Sequence, residues 1–108
     1  MGANRGERMK AMLRNLCADF VARSAGKQSL ITVTDVAVTP DEKEAMVFIT
    51  VLPEHKEQVA LDFLNRQGYE LRAYFKAHAI LRRLPHVTFA IDGGEKNRQR
   101  IDELSRMK

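Results

Sequence analysis

Apolar residues near the start of the chain recur at intervals of three and four and predict a helix from about Arg5 to Ser24. They form one continuous stripe: Met9, Met12, Leu13, Leu16, Cys17, Phe20 and Val21. Asn4 and Glu7 have the spacing of a capping box, and Gly26 is suited to end the helix. We interpret the stripe as core packing, with the basic residues of the segment on the opposite faces.

Two segments rich in β-branched residues follow, Leu30–Val38 and Ala45–Leu52, and each predicts a strand. The residues between them, Thr39–Glu44, have turn chemistry, so we expect an antiparallel hairpin. Within the first strand the alternation changes phase near Asp35, which indicates a bulge or a twist. The apolar residues before and after this point are expected on opposite faces: Ile31 and Val33 on one, Val36 and Val38 on the other.

Helical periodicity then covers about Glu54 to Arg83, interrupted at Gly68 and stopped by Pro85. A glycine inside a helix costs about 1 kcal/mol relative to alanine, so Gly68 predicts a kink. The sides expected to be buried comprise Val59, Ala60, Phe63 and Leu64 before the glycine, and Leu71, Tyr74, Phe75, His78 and Leu81 after it. A third strand, His86–Ile91, returns through helices, which favours parallel pairing with one neighbour.

The predicted order is α-β-β-α-kink-α-β, which describes an α+β two-layer sandwich with a three-stranded mixed sheet. A chain of 108 residues has the size of one domain. We therefore expect a single domain over residues 1–108, with its core at about 5–92 and a short C-terminal helix at about 95–107.

Charge is distributed unevenly along the chain, although the total is only +4. Residues 1–29 hold six Lys and Arg against two acids, residues 30–65 hold two against seven, and residues 66–108 hold ten against five. Two basic stretches therefore flank an acidic middle, and a basic stretch favours a polyanion as partner.

The predicted helix after Gly68 carries a narrow basic ridge. At 100° per residue, Arg72, Lys76 and Arg83 fall within about 40° of one another. Such a ridge is either a solvated helix face or a row of phosphate contacts, which give affinity and position but no sequence readout. Charge spacing alone leaves both interpretations open.

Sequence signatures of catalysis and of metal binding are missing. His55, His78 and His86 have no Cys or carboxylate at ligand spacing, and no phosphate-binding glycine loop or hydrolase motif occurs. Because Cys17 is the single cysteine, an internal disulfide is excluded. We expect Cys17 to be a small core residue and His78 to be a core residue as well. We therefore predict a protein without cofactor or enzymatic activity, cytoplasmic and without a membrane segment.

Several segments, taken in their order and spacing, resemble the ribosome-binding factor A family of small-subunit assembly factors. They are Ile31–Thr39, Ala45–Leu52, Leu71-Arg72, Leu81–Phe89, Asp92 and the terminal Arg100-Ile101-Asp102-Glu103-Leu104. The resemblance extends from about Arg8 to Leu104 and implies a type II KH-like domain that lacks the G-x-x-G loop. Members usually have Ala-x-Gly at the interhelical kink, where this chain has Gln67-Gly68-Tyr69.

The resemblance also implies a function. Such a protein binds the immature 30S subunit, assists late maturation and 5′-end processing of 16S rRNA, matters most in the cold, and is released with the help of an assembly GTPase. It catalyses no covalent step, and we expect a monomer. The residues expected to meet RNA phosphates are Arg72, Lys76, Arg83, Arg82 and Arg66, with Arg5, Arg8 and Lys10 on the first helix.

Two alternatives remain. A general KH-like module for single-stranded RNA would need exposed aromatic residues to stack on bases, and the chain offers only Tyr69 and Tyr74 near the kink. A protein-interaction module would use the acidic middle segment. Association with free small subunits, but not with translating ribosomes, is expected only of the assembly factor.

Overall fold

The computed structural model describes residues 5–24, 29–78 and 84–94. The helices in these ranges are α1 (Arg5–Ser24), α2 (Glu57–Arg66) and α3 (Gly68–His78), and the strands are β1 (Leu30–Val38), β2 (Glu44–Leu52) and β3 (His86–Ile91). This order confirms the predicted α+β fold class. The C-terminal helix predicted over residues 95–107 lies outside the described residues. No helix within the described ranges is long and apolar enough to cross a membrane.

The sheet has β2 in the middle, paired antiparallel with β1 and parallel with β3. Both predicted pairings are confirmed. The short turn after β1 permits only an antiparallel return, whereas the passage through α2 and α3 brings β3 back parallel to β2. As a result β1 and β3 form the two edges of the sheet.

The predicted bulge in β1 is confirmed, because the pairing register shifts between Val33 and Asp35. The expectation of two opposite apolar faces is wrong. Ile31 and Val33 before the bulge, and Val36 and Val38 after it, all pack into the same core. One extra residue moves the alternation by one position, so the bulge returns both halves of the strand to the side of the helices.

The apolar stripe of α1 is buried as predicted. Leu13, Cys17 and Val21 belong to the same core cluster as Val47 and Ile49, which lie on the helix-facing side of β2. The capacity of α1 to bury this face against the sheet, rather than intrinsic helix propensity, accounts for most of its stability.

The beginning of α2 differs from the prediction. Residues 54–56 form a 3₁₀ turn, and the α-helix starts at Glu57. Ala60 and Leu64 are buried as expected, but Val59 is 70% exposed. The core-packing residues Ala60, Leu61, Phe63 and Leu64 span about 160° of α2, and Val59 lies about 40° beyond Phe63, outside this sector.

Cys17 provides a probe of the whole fold because it is the chain's one cysteine. Burial raises its pKa from 9.0 to about 12, and its side chain is 0% exposed. We expect negligible alkylation of the native protein by iodoacetamide at pH 8, with modification at the rate of unfolding. Because burial raises this pKa, the contribution of the neutral thiol to the free energy of unfolding is complete below pH 9 and is lost as the pH rises toward 12. Mass spectrometry measures the extent of alkylation, and rapid alkylation of the folded protein would contradict this burial.

Candidate nucleic-acid interface

The helical segment after β2 breaks between Arg66 and Gly68. The amide of Gln67 donates to the carbonyl of Leu64 (3.0 Å), and the amide of Leu71 donates to the carbonyl of Gln67 (2.8 Å). Gln67 thus closes α2 and opens α3. The break predicted at Gly68 lies one residue earlier, within the segment Gln67-Gly68-Tyr69.

A groove of about 400 Å³ runs between the start of α3 and the edge strand β3. Gly68, Leu71, Arg72 and Phe75 line the helix side, and Pro85–Thr88 line the strand side. Leu71 and Phe75 are buried and form its apolar floor. Arg72 brings a permanent positive charge to the rim, a combination suited to an elongated polyanion that carries planar apolar groups.

Asn65, at the end of α2, holds the free edge of β3. The Phe89 amide donates to Asn65 Oδ1 (2.9 Å), and Asn65 Nδ2 donates to the Phe89 carbonyl (3.3 Å). The amides of His86 and Asp92 face β2, so the intervening odd-numbered residues turn their polar groups outward. Asn65 therefore takes the place of a neighbouring strand at Phe89, and it also lines the groove.

Three basic residues belong to this helix pair, Arg66 in the last turn of α2 and Arg72 and Lys76 on α3, and we call them the cationic row. All three side chains are exposed. None of them forms a hydrogen bond or an ion pair with another residue in the described ranges. Three neighbouring cations without acidic partners create a positive potential that is available to an anionic ligand.

Two arginines of α1 are engaged within the fold, in contrast to the cationic row. Arg14 donates to the carbonyl of Thr34 in the bulge (3.0 Å), and Arg23 lies 5.5 Å from the centre of the Tyr74 ring. The first contact satisfies a carbonyl that the bulge leaves without a strand partner. Helical periodicity places Arg14 on an outward face of α1 but cannot predict this contact, because the contact depends on the pairing of β1.

The basic residues of α1 in the predicted interface do not join the cationic row. Lys10 lines a second groove, of about 280 Å³, together with Arg14 and Asp35. This groove lies beside β1, at the opposite edge of the sheet from β3. Arg8 is exposed on the same part of α1, Arg5 begins that helix, and Arg82 and Arg83 lie outside the described residues. The described residues thus divide the predicted cations between two edges.

The two tyrosines have different surroundings. Tyr74 is half-buried, with Phe20 edge-on at 5.8 Å and His78 stacked at 4.1 Å. Tyr69, one turn earlier, is 81% exposed. The prediction that His78 is a core residue is wrong, because its exposed ring stacks on Tyr74 instead of packing on the sheet.

The conformation of Gly68 does not require a glycine. Its φ is not in the left-handed region, and a Cβ added there would meet no atom within 4 Å. We expect Gly68→Ala to raise the free energy of unfolding by about 0.4–1 kcal/mol, because alanine restricts the unfolded chain. Urea denaturation measures this change. A decrease would contradict a backbone conformation of Gly68 outside the left-handed region.

The chemistry of this surface is that of binding. The described residues include no group of three or more His, Cys, Asp or Glu side chains that could hold a metal ion. The arrangement offers charge, an apolar groove and an exposed aromatic ring, and these are the elements with which proteins bind single-stranded nucleic acid.

A family model described as ribosome-binding factor A matches residues 5–105. Ribosome-binding factor A of Stenotrophomonas maltophilia (strain K279a) is 30% identical over 105 residues, which cover 95% of this chain and 83% of that protein. The protein of the same name from Thermodesulfovibrio yellowstonii is 30% identical over 102 residues, covering 93% of this chain and 86% of that protein.

Solved structures give the same result. The crystal structure of ribosome-binding factor A from Thermus thermophilus is similar with a TM-score of 0.72 at 25% identity, over 80% of this chain and 93% of that chain. A homology model of the Thermus thermophilus factor, as fitted into the cryo-EM map of a complex with the 30S subunit, has a TM-score of 0.66 at 27% identity. That match covers 75% of this chain and 88% of the fitted chain.

Proposed function

The chain belongs to the ribosome-binding factor A family, and we propose that it is a ribosome assembly factor that binds the immature 30S subunit through the cationic row. The observation that carries this proposal is the exposure of Arg66, Arg72 and Lys76 without acidic partners among the described residues, with Arg72 lining the groove. The similarity to a factor fitted into a 30S complex supports the choice of partner.

The ligand on the small subunit is 16S rRNA, because a phosphodiester backbone is the polyanion that a row of cations fits best. Phosphate contacts hold the protein in position without reading the sequence. Arg8 and Lys10 make a second RNA contact at the β1 edge. Arg5, Arg82 and Arg83 belong to the proposed RNA-binding residues on the basis of the sequence alone.

The protein acts without a catalytic step, by binding one arrangement of the RNA more tightly than another. Such a ligand shifts the population toward the arrangement it prefers, and equal affinity for both would shift nothing. The process assisted in this way is the late maturation and 5′-end processing of 16S rRNA, with its largest importance in the cold. The factor works as a cytoplasmic monomer and leaves with the help of an assembly GTPase.

Sedimentation of a cell lysate through a sucrose gradient tests the proposal. An epitope-tagged chain should sediment with free small subunits and be absent from translating ribosomes. The association should weaken steeply between 50 and 200 mM salt, by about tenfold or more if the cationic row makes three phosphate contacts.

Two outcomes would contradict the assignment. Recovery only at the top of the gradient, combined with tight binding to unstructured RNA oligonucleotides, would favour a general module for single-stranded RNA. Equal recovery with translating ribosomes would exclude a factor that leaves before translation. Arg72→Glu provides the matched loss-of-binding variant, since it should remove the small-subunit peak while leaving the fold intact.

A further inference from the structure

Tyr69 is the most exposed large apolar side chain in the described part of the molecule, at 81%. The ring occupies the first turn of α3, directly after Gly68. No residue in the described ranges stacks on it or places a cation over it, whereas Tyr74 contacts Phe20, His78 and Arg23. The fold therefore uses Tyr74 for packing and leaves both faces of the Tyr69 ring accessible.

The position of Tyr69 relative to the cationic row follows from helix geometry. Projected at 100° per residue, Tyr69, Arg72 and Lys76 lie within about 60° of one another, and Arg72 also lines the groove. Arg72 is about 4.5 Å further along the helix axis than Tyr69, and Lys76 is about 6 Å beyond Arg72. The ring and the two cations thus form one continuous strip of surface.

This placement has no explanation in folding. An exposed helix position is filled more favourably by alanine, glutamate or lysine than by tyrosine, whose side chain loses rotamer freedom against the preceding turn. An isolated surface aromatic residue is not unusual. An isolated ring in line with unpartnered cations is the combination found where proteins hold unpaired nucleotides.

We propose that Tyr69 stacks on an unpaired base of the RNA whose neighbouring phosphates lie on Arg72 and Lys76. The inference deepens the proposed function and rests on it. Duplex and single strand both offer phosphates, but only an unpaired base can expose a face for the ring. The strip therefore selects RNA in which a nucleotide has left its helix, and this is a structural difference between alternative arrangements of a maturing RNA.

A set of three RNAs measures the contribution of the base. The first is a blunt duplex, the second carries a four-nucleotide single-stranded extension, and the third carries the same extension with abasic ribose units, so that its phosphates are unchanged. Fluorescence anisotropy should show at least about fivefold tighter binding to the base-bearing extension than to the abasic one. Tyr69→Leu should abolish this difference, and Tyr69→Phe should retain it.

Tyrosine emission reports the stacking directly, because the chain has two tyrosines and no tryptophan. In a Tyr74→Phe variant, which keeps the ring packed between its neighbours, Tyr69 is the one remaining emitter. Its emission should be quenched by the base-bearing extension and not by the abasic one. The Tyr69→Phe variant emits from Tyr74 alone. Neither RNA should lower this emission by more than the light that the RNA itself absorbs.

The outcomes separate this proposal from the function on which it rests. A Tyr69→Leu variant that still distinguishes base from abasic extension, or an unquenched Tyr69 emission, overturns stacking. Arg72→Glu should abolish sedimentation with small subunits whether or not stacking occurs. Loss of the base preference in a Tyr69→Leu protein with wild-type thermal unfolding supports the proposal.

Discussion

Reversing the charge of Arg72 and Lys76 together is expected to lower the affinity for small ribosomal subunits by about 10²- to 10³-fold near 0.1 M salt. Each cation that contacts a phosphate releases a condensed counterion, and each reversed charge also repels the phosphate it faces. Both side chains are exposed, so Arg72→Glu/Lys76→Glu should leave the fold unchanged.

The salt dependence identifies the cause of this loss. The slope of log K against log salt should flatten by about 0.7–0.9 for each contact removed, and therefore by about 1.4–1.8 in the double variant. Filter binding of purified small subunits at several KCl concentrations measures both the affinity and the slope.

Two further variants serve as controls. Lys43→Glu changes the net charge as much as Arg72→Glu does, but it lies in the turn between β1 and β2 and should alter binding by less than about twofold. Arg8→Glu/Lys10→Glu makes the same double reversal at the β1 edge and measures the second proposed contact by itself. A folded Arg72→Glu/Lys76→Glu protein with unchanged affinity and slope would exclude the cationic row as the RNA contact.

Replacing Asn65 with leucine is expected to lower the free energy of unfolding by about 1–3 kcal/mol. The variant removes both hydrogen bonds to Phe89, whose side chain is 2% exposed, and leaves the amide and carbonyl of this edge strand without partners. Urea denaturation measures the loss of stability. Hydrogen exchange of the Phe89 amide should accelerate in the same protein, because Asn65 no longer accepts its hydrogen bond.

Gln58→Leu is the matched control on the same helix. Gln58 Nε2 donates to Asp62 Oδ1 at 2.8 Å, but this pair is exposed and four residues apart, so its loss should change stability by only about 0.2–0.5 kcal/mol. Equal effects of Asn65→Leu and Gln58→Leu would show that Asn65 does not hold the strand edge. An Asn65→Asp variant keeps the acceptor for the Phe89 amide and should lose less stability than leucine.

The candidate site was predicted only in part. Arg72 and Lys76 could be recognised because helical periodicity places them on one face, and the structure leaves both exposed on α3. Asn65 gave no signal, since one amide among the polar residues of a helix acquires its role only when β3 returns beside it. The helical pattern placed both Tyr74 and His78 on the packed side of α3. In the structure Tyr74 is half-buried, whereas His78 and Tyr69 are exposed.

Hydrophobic periodicity and turn residues were sufficient to predict the elements, the hairpin, the bulge, the parallel return of β3 and the fold class, because these signals act over a few neighbouring positions. Three features could be seen only in the folded molecule: the bulge returns both halves of β1 to one core, the described cations divide between two edges of the sheet, and Asn65 closes the edge of β3. These features depend on contacts between segments distant in the chain, such as that between Asn65 and Phe89, which are 24 positions apart. Such contacts form only when the helices and the sheet pack against each other, and no local pattern records them.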